Sequence, residues 1–497
     1  MINLRNIASG LSTIAIAAGL VMVLPIFIAL LYAEYFAVPG FALPMAVALC
    51  VGFVAYKGMG PPVKLTIVEA MAIASMGWLL AAALFSVPYV TVSGLHPLDA
   101  YFEAFSSLTT TGMTVIPVLE DVPRSILFWR ALGEWVGGIG IILLTTLLLL
   151  SREGVIAWRM YLAEAREERL APTIRSTIKD IWLIYVLYTA LCAISLILAG
   201  LDPFDALCHA LTCLSTGGFS TKTSNVGAFN NVAVEVLLII FMILGATRFS
   251  LHYKLFTGDV KSFAKDLELR VFVLVLITSS VIVSLDLALR SGLGVGEALR
   301  IGFFHAVSVG TTTGFTTKDL ASDAFSPLSK AVLLFLMIIG GCSNSTAGGI
   351  KVQRLTALAK LAKHEVEKTF LPAEAFKGLR LEKKVLREAE ALRIASFFFL
   401  YMFFALLATT VMVLFEGDFL GCLSGVLSAM ATVGPFYMST LSLSPASKIV
   451  LIISMWVGRL ELVPALILLS PKFWSELSKF SRKTSTSKLI SRGQSNT

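Results

Sequence analysis

Apolar residues occur in this chain in long runs, and short polar segments separate one run from the next. A run of 18 or more apolar residues is typical of a helix that crosses a bilayer. We predict ten such spans, with two at the start of the chain and four pairs after them. Their approximate positions are 11–34, 36–57, 65–91, 126–150, 181–200, 232–253, 271–293, 327–349 with an extension to 363, 392–415 and 446–470.

Between the two members of each pair lies an amphipathic stretch that is too short to cross a membrane. Each stretch ends at a glycine, and the spacing before it repeats: Pro97 precedes Gly112 by as much as Pro203 precedes Gly218. The pattern predicts an all-α membrane protein with four copies of span, pore helix, glycine turn and span around one pore. The four turns read Thr110-Thr111-Gly112, Thr216-Gly217-Gly218, Thr312-Thr313-Gly314 and Thr432-Val433-Gly434.

Glycine turns in this setting can form a pathway for a cation. Irregular backbone is tolerated at membrane depth only where protein or a watery cavity satisfies its polar groups. Glycine accepts dihedral angles that turn carbonyl oxygens towards a pore, and a ring of such carbonyls can replace the water around a cation. One glycine alone would more simply end a short helix, whereas four aligned turns favour a selectivity filter. The threonines that open the turns would add further oxygen ligands.

Composition narrows the class of protein. The chain has 497 residues, of which 57% are hydrophobic and 14% are charged, and its mean hydropathy is +0.84. This charge content is too low for the surface of a soluble protein of this length. Long continuous apolar runs also exclude an outer-membrane β-barrel, whose strands alternate. The six cysteines form no CxxC pair, so we expect free thiols and no cysteine metal site.

The positive charge indicates topology. The net charge is +8, and basic residues concentrate in alternate loops, above all at 151–180, 248–270 and 351–393 and in the tail from 472. The positive-inside rule therefore predicts a multi-pass protein of the inner membrane with both termini in the cytoplasm. Because the charge is spread over loops that flank the membrane, we expect the lipid bilayer as a partner and no nucleic acid.

These boundaries divide the chain into six parts. We predict an N-terminal extension of two spans, four pore repeats of which the third carries an intramembrane loop, and a basic cytoplasmic tail. Their ranges are 1–62, 63–170, 171–265, 266–380 with the loop at 340–349, 381–475 and 476–497.

Three further segments, together with the four turns, resemble the TrkH/KtrB superfamily of potassium transporters, also called Trk/Ktr/HKT. They are the segments 135–140 (WVGGIG), 340–351 (GGCSNSTAGGIK) and 458–461 (GRLE), and the resemblance covers essentially the whole chain. The two additional N-terminal spans are more similar to the TrkH branch. Some plant relatives have serine in the first turn and transport sodium, so Gly112 favours potassium as the transported substrate.

The resemblance also implies partners. Members of the superfamily form homodimers in which each subunit has its own pore. A cytosolic ring of nucleotide-binding, TrkA-like regulatory subunits gates them. We therefore expect no cofactor in this chain and a nucleotide only on the regulatory partner.

A loop rich in glycine, serine and threonine interrupts the eighth span. Such a composition is unfavourable for a helix inside a membrane, and a broken helix that lines a cavity explains it better than a packing kink. The resemblance implies that this loop blocks the cavity beneath the filter and that Arg459 projects into the pore as an electrostatic barrier. The residues of the loop are Gly340, Gly341, Cys342, Ser343, Asn344, Ser345, Thr346, Ala347, Gly348 and Gly349.

Several other positions carry expectations. Arg130 and Glu134 are four residues apart and can pair on one helix face, in a structural role. His209 and His305 stand at equivalent positions of two pore helices, where we expect packing or hydrogen bonding behind the filter. Two positions depart from the superfamily pattern. Asn344 and Phe436 occupy places where relatives commonly have glycine.

The sequence thus predicts a gated potassium-conducting subunit, with no enzyme activity. A sodium-selective or Na⁺/H⁺-coupled transporter of the same fold is the alternative. A carrier with inverted repeats is disfavoured, since each repeat begins on the same side of the membrane. A membrane-embedded enzyme would have to rely on isolated residues such as His209 or His305, because the sequence contains no recognised catalytic motif.

Overall fold

The computed structural model describes residues 2–62, 65–149, 174–370, 380–381, 384–385 and 388–477. This part of the chain is helical, apart from an antiparallel pair of two-residue strands, Arg380–Leu381 and Lys384–Val385. The predicted basic tail lies outside the described residues except for its first two residues. The basic stretch predicted at 151–180 is described only from residue 174.

Two N-terminal spans, Leu4–Leu31 with a break at Met22 and Val38–Met59, precede Ile67–Thr91, which is the first span of the first repeat. The first of the three packs against the other two. Thr66 and Glu69 form a capping box at the start of the third span, because each side chain satisfies the other residue's backbone amide. Glu69 also accepts a hydrogen bond from the amide of Asn3 at 2.6 Å, which ties the N-terminus to this cap.

The four repeats follow as predicted, each with two spans and a short helix between them that packs against its neighbours. We call the four short helices the pore helices, numbered by repeat. They are Pro97–Leu108, Pro203–Leu214, Val295–Gly310 and Phe419–Ala431. The first spans are Ile67–Thr91, Ile174–Leu198, Leu267–Arg290 and Glu388–Glu416, and the second spans begin with Arg124–Leu149, Val232–Ala246, Pro327–Ile339 and Pro445–Arg459.

Local sequence sets where the pore helices begin. Proline occupies the first helical position of pore helices 1 and 2, where its missing amide costs no hydrogen bond. The side chains of His96, Asp202 and Asp418 cap the starts of pore helices 1, 2 and 4. The opposite, carbonyl-rich ends therefore point towards the glycine turns, as the cation interpretation requires.

The second spans differ from the prediction of continuous helices at 232–253 and 446–470. The second repeat bends by 103° between Val232–Ala246 and Phe249–Phe256, and the fourth bends by 120° between Pro445–Arg459 and Val463–Leu469. In the second repeat the carbonyls of Gly245 and Ala246 accept bonds from the third repeat's loop instead of continuing their own helix. In the fourth, Glu461 and Leu462 have positive φ angles of 55° and 64°, which end the helix.

The third repeat breaks where the sequence predicts. Its second span stops at Ile339, and a further helix, Val352–Lys368, starts only after the glycine-rich loop. Among the described residues, six helices are long and apolar enough to cross a membrane, or eight when each bent pair counts as one span.

Candidate ion-conduction site

The four pore helices end in the same way. In each repeat the amide of the threonine that opens the turn bonds to the carbonyl three residues before it. The next amide bonds to the carbonyl five residues before it, as in a Schellman motif. In the first repeat these are Thr110 N to Ser107 O at 3.0 Å and Thr111 N to Ser106 O at 2.9 Å. The corresponding pairs in the other repeats measure 3.1 and 2.9 Å, 3.0 and 2.9 Å, and 3.3 and 2.8 Å.

A threonine takes the left-handed conformation at each of these ends. The φ angles are 56° at Thr110, 54° at Thr216, 57° at Thr312 and 55° at Thr432. Positive φ is a genuine outlier for a β-branched residue, and such strain of about 1–3 kcal/mol persists only where the surroundings enforce it. The same strain in four repeats indicates a backbone geometry that the site needs.

The glycines two residues later close the four turns into a ring. A β-carbon on Gly112 would lie 2.1 Å from the carbonyl oxygen of Gly217, in the second turn. A β-carbon on Gly218 would lie 1.9 Å from Thr313 O in the third turn, and one on Gly314 would lie 1.8 Å from Val433 O in the fourth. A β-carbon on Gly434 would lie 2.4 Å from Thr111 O in the first turn, so the four turns contact one another in a closed circle. We call residues 110–112, 216–218, 312–314 and 432–434 the ring.

A cavity of about 520 Å³ opens onto one face of the ring. Gly112, Gly314 and Gly434 line it, together with the segments that follow the ring in the four repeats. These segments carry backbone carbonyls and the side chains of Thr223 and Asp319. Such a vestibule can admit a hydrated ion to the ring.

The hydroxyls of the four threonines that open the turns differ in their partners. Thr216 donates to the carbonyl of Ser215 at 2.7 Å, and Thr312 accepts from the amide of Gly348 at 2.9 Å. Among the described residues, the Oγ1 atoms of Thr110 and Thr432 are buried without a hydrogen-bond partner.

The two ends of the loop at 340–349 lie next to each other, at the point where the second span of the third repeat stops. Gly340 and Gly349 have positive φ angles of 70° and 79°, and a β-carbon on Gly340 would lie 2.1 Å from the Gly348 carbonyl. The returning amide of Lys351 bonds to Ile339 O at 2.9 Å, where the helix stops. Asn344 also has positive φ, 54°, which explains why asparagine can replace a glycine there.

The returning limb of this loop lies directly against the ring. The amide of Gly348 bonds to Thr312 Oγ1, and a β-carbon on Gly348 would lie 2.5 Å from Thr432 Oγ1. Thr346 donates to the carbonyl of Leu214, the last residue of pore helix 2, at 3.0 Å. The loop therefore occupies the space beneath the ring on the side where the pore helices end.

Two charged residues hold the loop from outside. Arg459, only 7% exposed, donates from Nη1 to Thr346 O at 3.2 Å and from Nη2 to Gly137 O at 2.7 Å. Glu268 accepts from the amides of Ser343 at 2.7 Å and Gln353 at 3.1 Å, so it fastens both limbs of the loop.

Known proteins with this arrangement identify the family. The model of the TrkH family, described as a cation transport protein, matches residues 64–476. The chain belongs to the TrkH family. It is 34% identical to an uncharacterized cation transporter of Methanocaldococcus jannaschii over 433 residues, which cover 86% of this chain and 87% of the relative. It is 32% identical to the Trk system potassium uptake protein TrkH of Salmonella typhimurium, over 92% and 96% of the two chains.

The fold of a solved structure agrees with this membership. The crystal structure of the potassium transporter TrkH from Vibrio parahaemolyticus superposes with a TM-score of 0.85 at 30% identity, covering 95% of this chain and all of that one. The chain is thus a multi-pass membrane protein of a transporter family. Membership excludes the membrane-embedded enzyme. Within the described residues, no group of three or more His, Cys, Asp or Glu could hold a metal ion.

The expected pairing of Arg130 with Glu134 is wrong. Arg130 donates from Nε to Glu103 at 2.7 Å, and from Nη1 to the carbonyl of Ser220 at 3.0 Å. Glu134 instead accepts from the amide of Phe219 at 3.2 Å. The rule for residues four apart fails here because tertiary partners from the first pore helix and the second turn are closer.

The histidines do bond behind the ring, as expected. Nδ1 of His209 donates to Asp205 O at 2.7 Å, and Nε2 accepts from Ser220 Oγ at 2.9 Å. Nδ1 of His305 lies 2.9 Å from Ile301 O, and Nε2 lies 3.0 Å from the carbonyl and 3.4 Å from the amide of Lys318. Each histidine thereby joins its pore helix to the segment after the ring.

In the first and fourth repeats, other residues join the pore helix to the segment after the ring. Glu103, which is aligned with the histidines, accepts from the amide of Val115 at 2.9 Å and from Thr114 Oγ1 at 3.0 Å. The fourth repeat has Gly425 there, and the buried ring of Phe436 packs 3.1 Å from the place of its missing β-carbon. Phe436 therefore replaces a missing side chain within the protein.

Sequence reasoning missed one alignment that concerns the site. The second spans share a four-residue pattern without gaps: Glu134 to Gly137, Met242 to Gly245, Met337 to Gly340 and Met455 to Gly458. In three of these repeats the helix ends within one residue of the glycine. Comparing the second spans with each other, and not only the turns, would have found the shared glycine and the single glutamate.

Proposed function

We propose that this protein is the potassium-conducting subunit of a Trk-type uptake system and that the ring is its selectivity filter. The cyclic closure of the four turns, each glycine against the next turn's carbonyl, carries the proposal. The relatives named above as potassium uptake proteins support potassium as the ion. Backbone carbonyls from four turns can take the place of the ion's water.

The proposed pathway runs from the vestibule through the ring. A hydrated ion enters the cavity, exchanges water for carbonyl oxygens and then meets the unpartnered hydroxyls of Thr110 and Thr432. The negative ends of the four pore helices stabilise positive charge there. A membrane potential that is negative inside drives the ion with about 2.3 kcal/mol per charge per 100 mV.

We also propose that residues 340–349 and Arg459 are the gate. The loop's contacts with Thr312 and Leu214 support a block beneath the ring. Arg459 adds a positive charge beside that block and bonds to it through the Thr346 carbonyl. Opening requires these bonds to break, so the gate is held by several exchangeable hydrogen bonds of about 1 kcal/mol each.

Cation flux into proteoliposomes tests the filter. Wild type and Gly314→Ser are compared in K⁺, Rb⁺, Na⁺ and Li⁺. We expect K⁺ and Rb⁺ flux well above Na⁺ flux in wild type, with discrimination reduced at least about tenfold in the variant, since a side chain must displace the Val433 carbonyl. Equal Na⁺ and K⁺ flux in wild type would favour the sodium-transporting or Na⁺/H⁺-coupled alternative.

The assembly forms a separate proposal, supported by the relatives' membership of a named Trk system. We propose a homodimer in the inner membrane, with both termini in the cytoplasm, that binds a cytosolic nucleotide-binding regulatory subunit. The lysines and arginines at the cytoplasmic end of Val352–Lys368 offer a basic surface to it. Co-purification from native membranes should recover such a subunit together with this chain. Recovery of the chain alone would contradict the partner proposal.

A further inference from the structure

The ring is nearly uniform in backbone geometry, but the residues that support it from behind are not. At the position where the second spans of repeats two to four have Met242, Met337 and Met455, the first repeat has Glu134. All four side chains are completely buried. The first repeat therefore has a carboxylate at the position where each of the other three repeats has an uncharged thioether.

Glu134 touches two of the four ring turns. A β-carbon on Gly217 would lie 2.3 Å from its carboxylate carbon, and one on Gly112 would lie 3.6 Å from its Oε1 atom. Oε2 accepts the amide of Phe219 just after the second turn. The carboxylate thus lies at the junction of the first and second turns, against the backbone whose carbonyls form the ring.

Arg130 is the one cationic side chain of the described residues that acts on this carboxylate, and its hydrogen bonds go elsewhere. Arg130, one helical turn earlier, is taken by Glu103 and the Ser220 carbonyl. The terminal nitrogens of Arg459 bind the carbonyls of Gly137 and Thr346. The Oε1 atom of Glu134 has no hydrogen-bond partner. A buried carboxylate is stabilised in its charged form by hydrogen bonds and by a nearby cation, and Glu134 accepts one hydrogen bond, from the amide of Phe219.

We propose that Glu134 is the counter-charge for the cation in the ring and sets its affinity for K⁺. This inference rests on the proposed function of the ring as a filter. Glu134 does not touch the ion. It acts through the backbone of the first and second turns, so that ion occupancy is more favourable at that junction than at the other three.

A structural role for Glu134 makes a different prediction, and Glu134→Gln separates the two. Glutamine keeps the shape and can still accept the Phe219 amide, but it carries no charge. Glu134→Met gives the residue found in the other three repeats. Glu134→Asp keeps the charge at a greater distance from the ring. Met242→Gln is the matched control, because it introduces the same amide at the equivalent position of the second repeat.

The experiment measures K⁺ flux at varied K⁺ concentration in proteoliposomes, and K⁺-dependent thermal stabilisation of the same proteins in detergent. In Glu134→Gln and Glu134→Met we expect the half-saturating K⁺ concentration to rise about tenfold in both assays, with little change in maximal flux. Glu134→Asp should fall between these variants and wild type. Met242→Gln should keep the wild-type half-saturation.

The outcomes distinguish this inference from the function on which it rests. Wild-type flux and stabilisation by K⁺, with the same half-saturation in Glu134→Gln or Glu134→Met, would overturn the counter-charge and leave the filter intact. Loss of maximal flux with unchanged half-saturation would also overturn it. If wild type itself showed neither K⁺ flux nor stabilisation, the proposed function would fall and this inference with it. Because thermal stabilisation by K⁺ does not require ion flux, the detergent assay also measures K⁺ binding in variants that are folded but closed.

Discussion

The ring and the loop beneath it are held by partly different contacts. In the ring, each glycine lies so close to the next turn's carbonyl that a single added carbon would sit 1.8–2.4 Å from an oxygen. The loop is closely packed as well, since a β-carbon on Gly348 would lie 2.1 Å from the Ala431 carbonyl. Hydrogen bonds that involve side chains also hold it, among them Gly348 to Thr312, Thr346 to Leu214 and Arg459 to Thr346. The ring repeats four times, whereas the loop occurs once.

This difference suits the two segments to different roles. Close backbone packing leaves the ring no room to change, which suits a site that must fix the distance between oxygens. Hydrogen bonds of about 1 kcal/mol can break singly and reform, which suits a segment that must move. Selectivity should therefore respond to added volume in the ring, and basal flux should respond to lost bonds in the loop.

The largest effect should come from filling the ring. Gly218→Ala places a β-carbon 1.9 Å from the Thr313 carbonyl and also strains a residue with a φ of 81°. We expect the preference for K⁺ over Na⁺ to fall at least about tenfold, equivalent to about 1.4 kcal/mol. Flux of the two ions in proteoliposomes measures it.

Gly292→Ala is the matched control for that substitution. Gly292 also has positive φ, 67°, but no atom lies within 4 Å of the added carbon. It should lose about 1 kcal/mol of stability through backbone strain and keep the wild-type selectivity. If both variants discriminated between K⁺ and Na⁺ as wild type does, the close packing of the ring would not determine selectivity.

Shortening the loop should have the next largest effect, on flux and not on selectivity. Deletion of residues 343–347 removes the Thr346 contacts to Leu214 and Arg459 while the ring stays whole. We expect basal K⁺ flux to rise about tenfold without a regulatory subunit. Ser345→Ala is the control, since Ser345 Oγ bonds only within the loop: it donates to Cys342 O and accepts from the amide of Ala347. Unchanged or lost flux in the deletion would make the loop structural.

Arg459→Gln should raise basal flux by a smaller factor, about threefold, because it weakens one bond of the block and removes a positive charge from the pathway. The effect should shrink at high ionic strength if the charge contributes. Glu461→Gln disrupts the nearby pair with Arg354 at the same bend and should leave flux unchanged. Equal rises in the two variants would trace the effect to the bend itself.

The repeated parts of this molecule could be predicted from sequence. Four glycine turns and four short helices follow from spacing, because each repeat obeys the same local rules of caps, span length and glycine conformation. The bends after Ala246 and Arg459 could not be predicted, because the partners that end those helices come from elsewhere in the chain. The same holds for Arg130, whose partner Glu103 lies on a different helix.

The smallest effect on transport should come from the groups behind the ring. His305→Ala removes the hydrogen bonding of the imidazole to Ile301 O and to the backbone of Lys318, which should cost about 1–3 kcal/mol of stability. Selectivity should change less than twofold, because pore helix 3 still ends in the same backbone motif. Thermal unfolding and ion flux measure the two quantities, with His364→Ala, on the helix Val352–Lys368, as control. A loss of selectivity as large as that of Gly218→Ala would mean that the side chains behind the ring, and not its backbone packing, fix the oxygens.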